Sequence, residues 1–102
     1  MSFIYLIKNT NESHYKIGVG KNPSNRLKQL QTGCSSELVI IHTYETDIPY
    51  IIEKTLHRQY SILRKHGEWF DFSINEETDF LKNCQIIESR IKLLKEMENP
   101  FV

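Results

Sequence analysis

Cysteine is scarce in this sequence: Cys34 and Cys84 are the only two. They are too few for a disulfide framework, and their separation is not that of a zinc motif. Two reduced thiols of an intracellular protein is the reading that remains. No apolar run approaches the roughly 20 residues of a membrane span. The opening segment Met1–Lys8 lacks the basic stretch and small-residue cleavage site of a signal peptide. An intracellular location, without secretion or membrane insertion, is therefore expected. Net charge is absent as well: 13 Lys and Arg balance 13 Asp and Glu. That argues against a nucleic-acid binder working through bulk charge alone. No repeat, linker or low-complexity segment divides the chain, and no zinc finger or helix-turn-helix signature accompanies it. A length of 102 residues fits one domain, 1–102.

The zero balance hides an asymmetry. Residues 1–66 carry nine Lys and Arg against five Asp and Glu, a surplus of +4. Residues 67–102 carry four against eight, a balance of −4. A basic face on the first two-thirds could meet phosphates, although an unevenly charged solvated surface would read the same way.

Periodicity and turn residues give the element order ββαβα, a short strand, then α. Phe3–Lys8 is a run of aromatic and β-branched residues, hence a strand, and Asn9–Ser13 is turn chemistry. Tyr15–Gly20 alternates and reads as the hairpin partner. Asn22 and Pro23 start a helix that Gly33 closes. Glu37–Tyr44 reads as a third strand. Asp47 is the expected cap of a helix Pro49–Lys65, with Ile52, Leu56, Tyr60 and Leu63 as its apolar stripe. Gly67 breaks that helix, and Glu68–Phe72 is a short extended segment. Ser73 and Glu76 form a capping box before a long last helix. Its Phe80, Cys84, Ile87, Ile91 and Leu94 make one continuous apolar stripe, to be covered by the sheet in a monomer or by a second copy in a dimer; the monomer is favoured because a short domain needs the extra core.

Several residues have the chemistry of phosphodiester hydrolysis. Tyr5 shares one strand face with Phe3 and Ile7, and Lys16 shares a face of the next strand with Gly18. In a hairpin, Tyr5 and Lys16 could lie across the ladder. An amine beside a phenol lowers its pKa and prepares it to take a proton from water. Core packing is the other common use of a strand tyrosine. Arg26, with Lys21 and Lys28 nearby, offers a guanidinium that grips phosphate bidentately. Glu53 and His57, four apart, share a helical face. A carboxylate there can hold Mg²⁺, or the two can simply support the helix as a hydrogen-bonded pair. No third residue has the spacing to complete a zinc site with them. Glu68 is free to reach a pocket or to pair with Lys16 or Arg26.

Phe3-Ile4-Tyr5, Lys16-Ile17-Gly18, the segment Arg26–Gly33, Glu53–His57 and Gly67-Glu68-Trp69-Phe70 together resemble the GIY-YIG nuclease superfamily in its viral and phage-type subgroup. The resemblance covers residues 3–72 and leaves 73–102 as a helical extension. It implies an α+β fold: a small antiparallel three-stranded sheet flanked by helices, with an added C-terminal helix. It also implies metal-dependent cleavage of DNA, with Mg²⁺ or Mn²⁺ as cofactor. Tyr5 would activate water with Lys16 beside it, Arg26 would stabilise the phosphate's charge, and Glu53 would hold the metal ion. His57 would support Glu53 without being a ligand, while Tyr15, Lys21, Lys28 and Glu68 would contact substrate. The cell compartment implied is cytoplasm or nucleus, including that of a virus-infected cell. Three departures bear on proton transfer. Lys16 stands in place of the second tyrosine, Leu30 stands where other branches carry His or Tyr, and Glu68 falls near the asparagine of other branches. Phe3 in place of glycine affects packing. A catalytically inactive nucleic-acid-binding module on the same fold is the alternative.

Overall fold

The computed structural model describes residues 2–98. Residues 99–102, the end of the expected domain, lie outside the described residues. The order is β1 (Ser2–Asn9), β2 (His14–Gly20), α1 (Pro23–Thr32), β3 (Leu38–Thr46), α2 (Pro49–Gln59), β4 (Arg64–His66), β5 (Trp69–Asp71) and α3 (Ile74–Glu98). The five strands form one antiparallel sheet in the order β3-β1-β2-β5-β4. The three-stranded sheet expected from the sequence is therefore incorrect.

The correction has a local cause. The helix expected to run to Lys65 stops at Gln59. Tyr60 anchors the chain there: its ring tilts against Phe72, with centroids 4.7 Å apart, and its hydroxyl accepts a hydrogen bond from Asn83 at 2.6 Å. A single 3₁₀ turn, Ser61–Leu63, redirects the backbone. Arg64–His66 then folds back on Trp69–Asp71 as a hairpin. Leu63 continued the helical spacing in the sequence, but it packs against the core from the 3₁₀ turn instead. Asp47 does not cap α2. Ile48 holds the cap position without a side-chain bond, and its N–H donates to Thr46 Oγ1 at 3.2 Å. Asp47 pairs with Lys92 of α3 at 3.3 Å.

Alternation along the strands separates two apolar layers. Ile4, Leu6, Tyr15, Ile17 and Phe70 face α2 and α3, where they meet Ile52, Leu56, Phe80, Cys84 and Ile87. Tyr5 and Ile7 face the other way, with Leu38, Trp69 and the α1 residues Leu27 and Leu30. The second layer is thinner, since α1 has no fully buried residue.

The first half of α3 is bound to its own domain. Phe80 and Cys84 are fully buried. Tyr15 donates to Glu77 at 2.7 Å, His42 Nε2–H donates to the Glu77 carbonyl at 3.0 Å, and Tyr44 donates to Glu88 at 3.1 Å. The apolar stripe leaves the core further on: Ile91 is half-buried and Leu94 is 56% exposed. Among the described residues no helix is long and apolar enough to cross a membrane.

Candidate active site

Tyr5 sits opposite Gly18 in the β1–β2 ladder. Its ring lies across that glycine, so a Cβ at position 18 would be 2.4 Å from both Cζ and Oη of Tyr5. A glycine inside a strand is costly for the strand and usually marks such a close approach. Here it opens the space that the phenol fills.

Lys16 is opposite Ile7, one step along the same face, and not opposite Tyr5. Its stem is buried, and its Nζ is 2.6 Å from Glu68 Oε2 and 5.7 Å from the centre of the Trp69 ring. Of the partners open to Glu68, the structure selects Lys16. The cation that acts on the phenol is Arg26, which reaches it from the exposed first turn of α1. Arg26 also donates from Nη1 to Gln29 at 3.3 Å. Burial raises the Tyr5 pKa above the ordinary tyrosine value, while Arg26 opposes that rise and the nearby Glu68 and Glu53 carboxylates add to it. A phenol with its pKa lowered by Lys16 is therefore not what the structure contains.

Glu68 owes its place to a tight turn. Gly67 has φ +57°, the left-handed conformation that a Cβ disfavours, and it reverses the chain between β4 and β5. The Glu68 carbonyl then accepts from the Ile17 N–H at 3.4 Å, where β5 begins and β2 continues past it. Beyond that point β2 lacks β5 as a neighbour. The Ile17 carbonyl is taken instead by His57 Nε2–H of α2, at 3.2 Å. A carbonyl can only accept, so Nε2 carries the proton and Nδ1 keeps a lone pair in the neutral ring. The His57 ring also meets Phe70 edge-on, with centroids 5.1 Å apart.

Glu53 lies one helical turn before His57 and is half-buried. Burial raises its pKa; His57 and Lys16 pull it down, and Glu68 pushes it up. One donor atom from each of Glu53, His57 and Glu68 lies within 4.8 Å of the others. Two carboxylates and an imidazole this close are a donor set for a divalent cation. The third donor was invisible to spacing arguments, because a hairpin that the sequence did not reveal delivers it. Gly18 stands in the sequence as a strand residue and as the end of the Lys16-Ile17-Gly18 motif, with no role of its own assigned there. Its position inside an alternating run was the available signal.

The structure thus gathers Tyr5, Lys16, Arg26, Glu53, His57 and Glu68, which come from β1, β2, α1, α2 and the β4–β5 turn. Tyr15 is not among them. It points to the opposite face by strand alternation, is 2% exposed, and stacks on Phe72 at 5.3 Å. The expectation that Tyr15 touches substrate is corrected accordingly. Lys21 and Lys28 are exposed, on the loop before α1 and on α1 itself. Leu30 packs beside Tyr5 in the thin layer.

The family model of the T5orf172 domain matches residues 2–93. No curated protein and no solved structure matches the chain.

Proposed function

The chain belongs to the T5orf172 domain family, a phage-associated domain, and from that premise we propose that it is a metal-dependent endonuclease of GIY-YIG type acting on DNA. One observation carries the reading: a phenol, a guanidinium and a half-buried carboxylate, from three separate elements, meet at one surface. Core packing alone does not require that meeting. Arg26 is exposed and would take a phosphate oxygen, holding the negative charge that grows as the phosphorus is attacked. Lys21 and Lys28 would add longer-range attraction to the backbone and position the strand without reading bases.

Mg²⁺ fits the oxygen donors of Glu53 and Glu68, which would leave room for water and phosphate. A bound divalent cation would supply positive charge for the phosphate and cancel the two carboxylate charges that push the Tyr5 phenol up. Tyr5, protonated at neutral pH, would pass its proton to solvent water, with Arg26 favouring the phenolate that remains; the phenolate would take the proton of the attacking water as the new P–O bond forms and the P–O bond to the leaving strand breaks. Gly18 keeps the phenol oxygen where it is. Lys16, neutralised by Glu68, would hold the turn in place and take no proton from the phenol.

A nicking assay on supercoiled plasmid, with and without Mg²⁺ or Mn²⁺, tests the proposal. Metal-dependent conversion to relaxed circles that Tyr5→Phe and Glu53→Gln abolish is the expected result. Binding of DNA with no cleavage of supercoiled, linear, branched or single-stranded forms would favour an inactive binding module instead.

A further inference from the structure

We propose that Glu53, His57 and Glu68 form one three-donor cation site, and that its imidazole makes the site prefer Mn²⁺ to Mg²⁺. The inference deepens the nuclease reading and rests on it through Glu53 and Glu68, which both share; the role of His57 and the ion preference are its own. Three independent constraints fix the donors. Glu53 is carried by α2, whose Ile52 and Leu56 are fully buried, so the helix cannot swing away. Glu68 is held by its backbone bond to Ile17 and by the 2.6 Å ion pair from Lys16 to Oε2. That pair leaves Oε1 as a donor, so Glu68 can serve Lys16 and a cation together.

His57 supplies the discriminating observation. Its Nε2–H is committed to the Ile17 carbonyl, outside the cluster. Metal-binding histidines characteristically donate their second nitrogen to such a carbonyl, which fixes the tautomer and ring orientation. An i,i+4 pair that served only the helix would need no such anchor on a neighbouring strand. With a nitrogen in the set, the donor chemistry shifts. Mg²⁺ takes oxygen ligands and gives up its waters reluctantly, whereas imidazole suits the later first-row divalent metals; Mn²⁺, which opens that series, suits carboxylates as Mg²⁺ does and also accepts a ring nitrogen. Three protein donors would leave room on a bound ion for phosphate and water.

Trp69 provides a readout that does not depend on cleavage. It is the only tryptophan, it follows Glu68 in sequence, and Lys16 lies over its ring. The full chain, free of DNA, should be titrated with MnCl₂ and with MgCl₂, following Trp69 emission and the heat of binding. Mn²⁺ should quench Trp69 and bind more tightly than Mg²⁺. His57→Gln keeps an N–H for the Ile17 carbonyl and replaces the ligand nitrogen by oxygen, so it should erase that preference while Mg²⁺ affinity stays within about twofold. Glu68→Gln should weaken both ions. Equal wild-type affinities for the two ions, or a preference that survives His57→Gln, would overturn the inference. Metal-dependent nicking that persists in either of those cases would leave the nuclease reading standing. Selective Mn²⁺ binding without any nicking would support this site and sink the nuclease reading.

Discussion

The phenol of Tyr5 occupies the volume in which a side chain at Gly18 would begin, with Cζ and Oη both 2.4 Å from the would-be Cβ. The neighbour is not the tip of a flexible chain. It is a rigid ring, 2% exposed, held between strand and helix. Position 18 therefore sets the position of the catalytic candidate opposite it.

Gly18→Ala should force the Tyr5 ring aside. Overpacking of this kind costs about 1–3 kcal/mol, visible as a lower Tm. Nicking should fall further than stability does, because the hydroxyl is displaced. In a Tyr5→Ala background the same substitution should cost much less. Equal costs in both backgrounds, measured by thermal unfolding, would show that the two residues do not interact.

Glu53→Gln and Arg26→Ala separate metal binding from phosphate binding. Glu53→Gln keeps shape but removes charge, so cleavage should vanish while DNA binding persists or strengthens. Arg26→Ala should weaken cleavage and binding together and lower the salt slope of binding by about one. Filter binding at several salt concentrations, alongside nicking, distinguishes the two. An unchanged salt slope for Arg26→Ala would remove the phosphate contact.

Alkaline pH should loosen α3. Tyr15 and Tyr44 donate to Glu77 and Glu88 of that helix. Burial, reinforced by those carboxylates, pushes each phenol up to about 12. An unfolded tyrosine titrates near 10. Between those values the unfolded chain releases protons that the folded chain retains. The contribution is therefore complete below pH 10 and is lost as pH rises toward about 12. Urea unfolding from pH 9 to 11.5 should show the decline, and Tyr15→Phe should reduce its slope. A flat profile would contradict the two contacts.

The two halves of α3 should respond differently to truncation. Phe80 is fully buried, so Phe80→Ala should cost about 3–5 kcal/mol. Leu94 is 56% exposed, and Leu94→Ala should change monomer stability by less than about 0.5 kcal/mol. Sedimentation at rising concentration adds a second reading: a dimer that Leu94→Ala dissociates would assign the exposed end of the stripe to a second copy.

What the sequence determined by itself follows from local periodicity. Alternation put Tyr5 and Lys16 on one face and Tyr15 on the other, and the structure keeps that division. Asn22 and Pro23 opened α1 as read, with the Asn22 side chain accepting from the Asn25 N–H at 3.1 Å. Phe80, Cys84 and Ile87 announced a buried face of α3 through their 3.6-residue rhythm. The tertiary structure decided what rhythm cannot encode. Leu63 continued a helical stripe, yet the packing of Tyr60 ended the helix and released a strand that pairs with β5. That hairpin made the sheet five-stranded and delivered Glu68 to Lys16, Glu53 and His57. Register is also non-local: whether Gly18 or Lys16 faces Tyr5 depends on the turn length between two strands, and a two-residue shift leaves the pattern of faces unchanged. The Tyr5 pKa followed the same logic. Charge neighbours suggested a fall, but burial between a strand and a helix distant in sequence raised it.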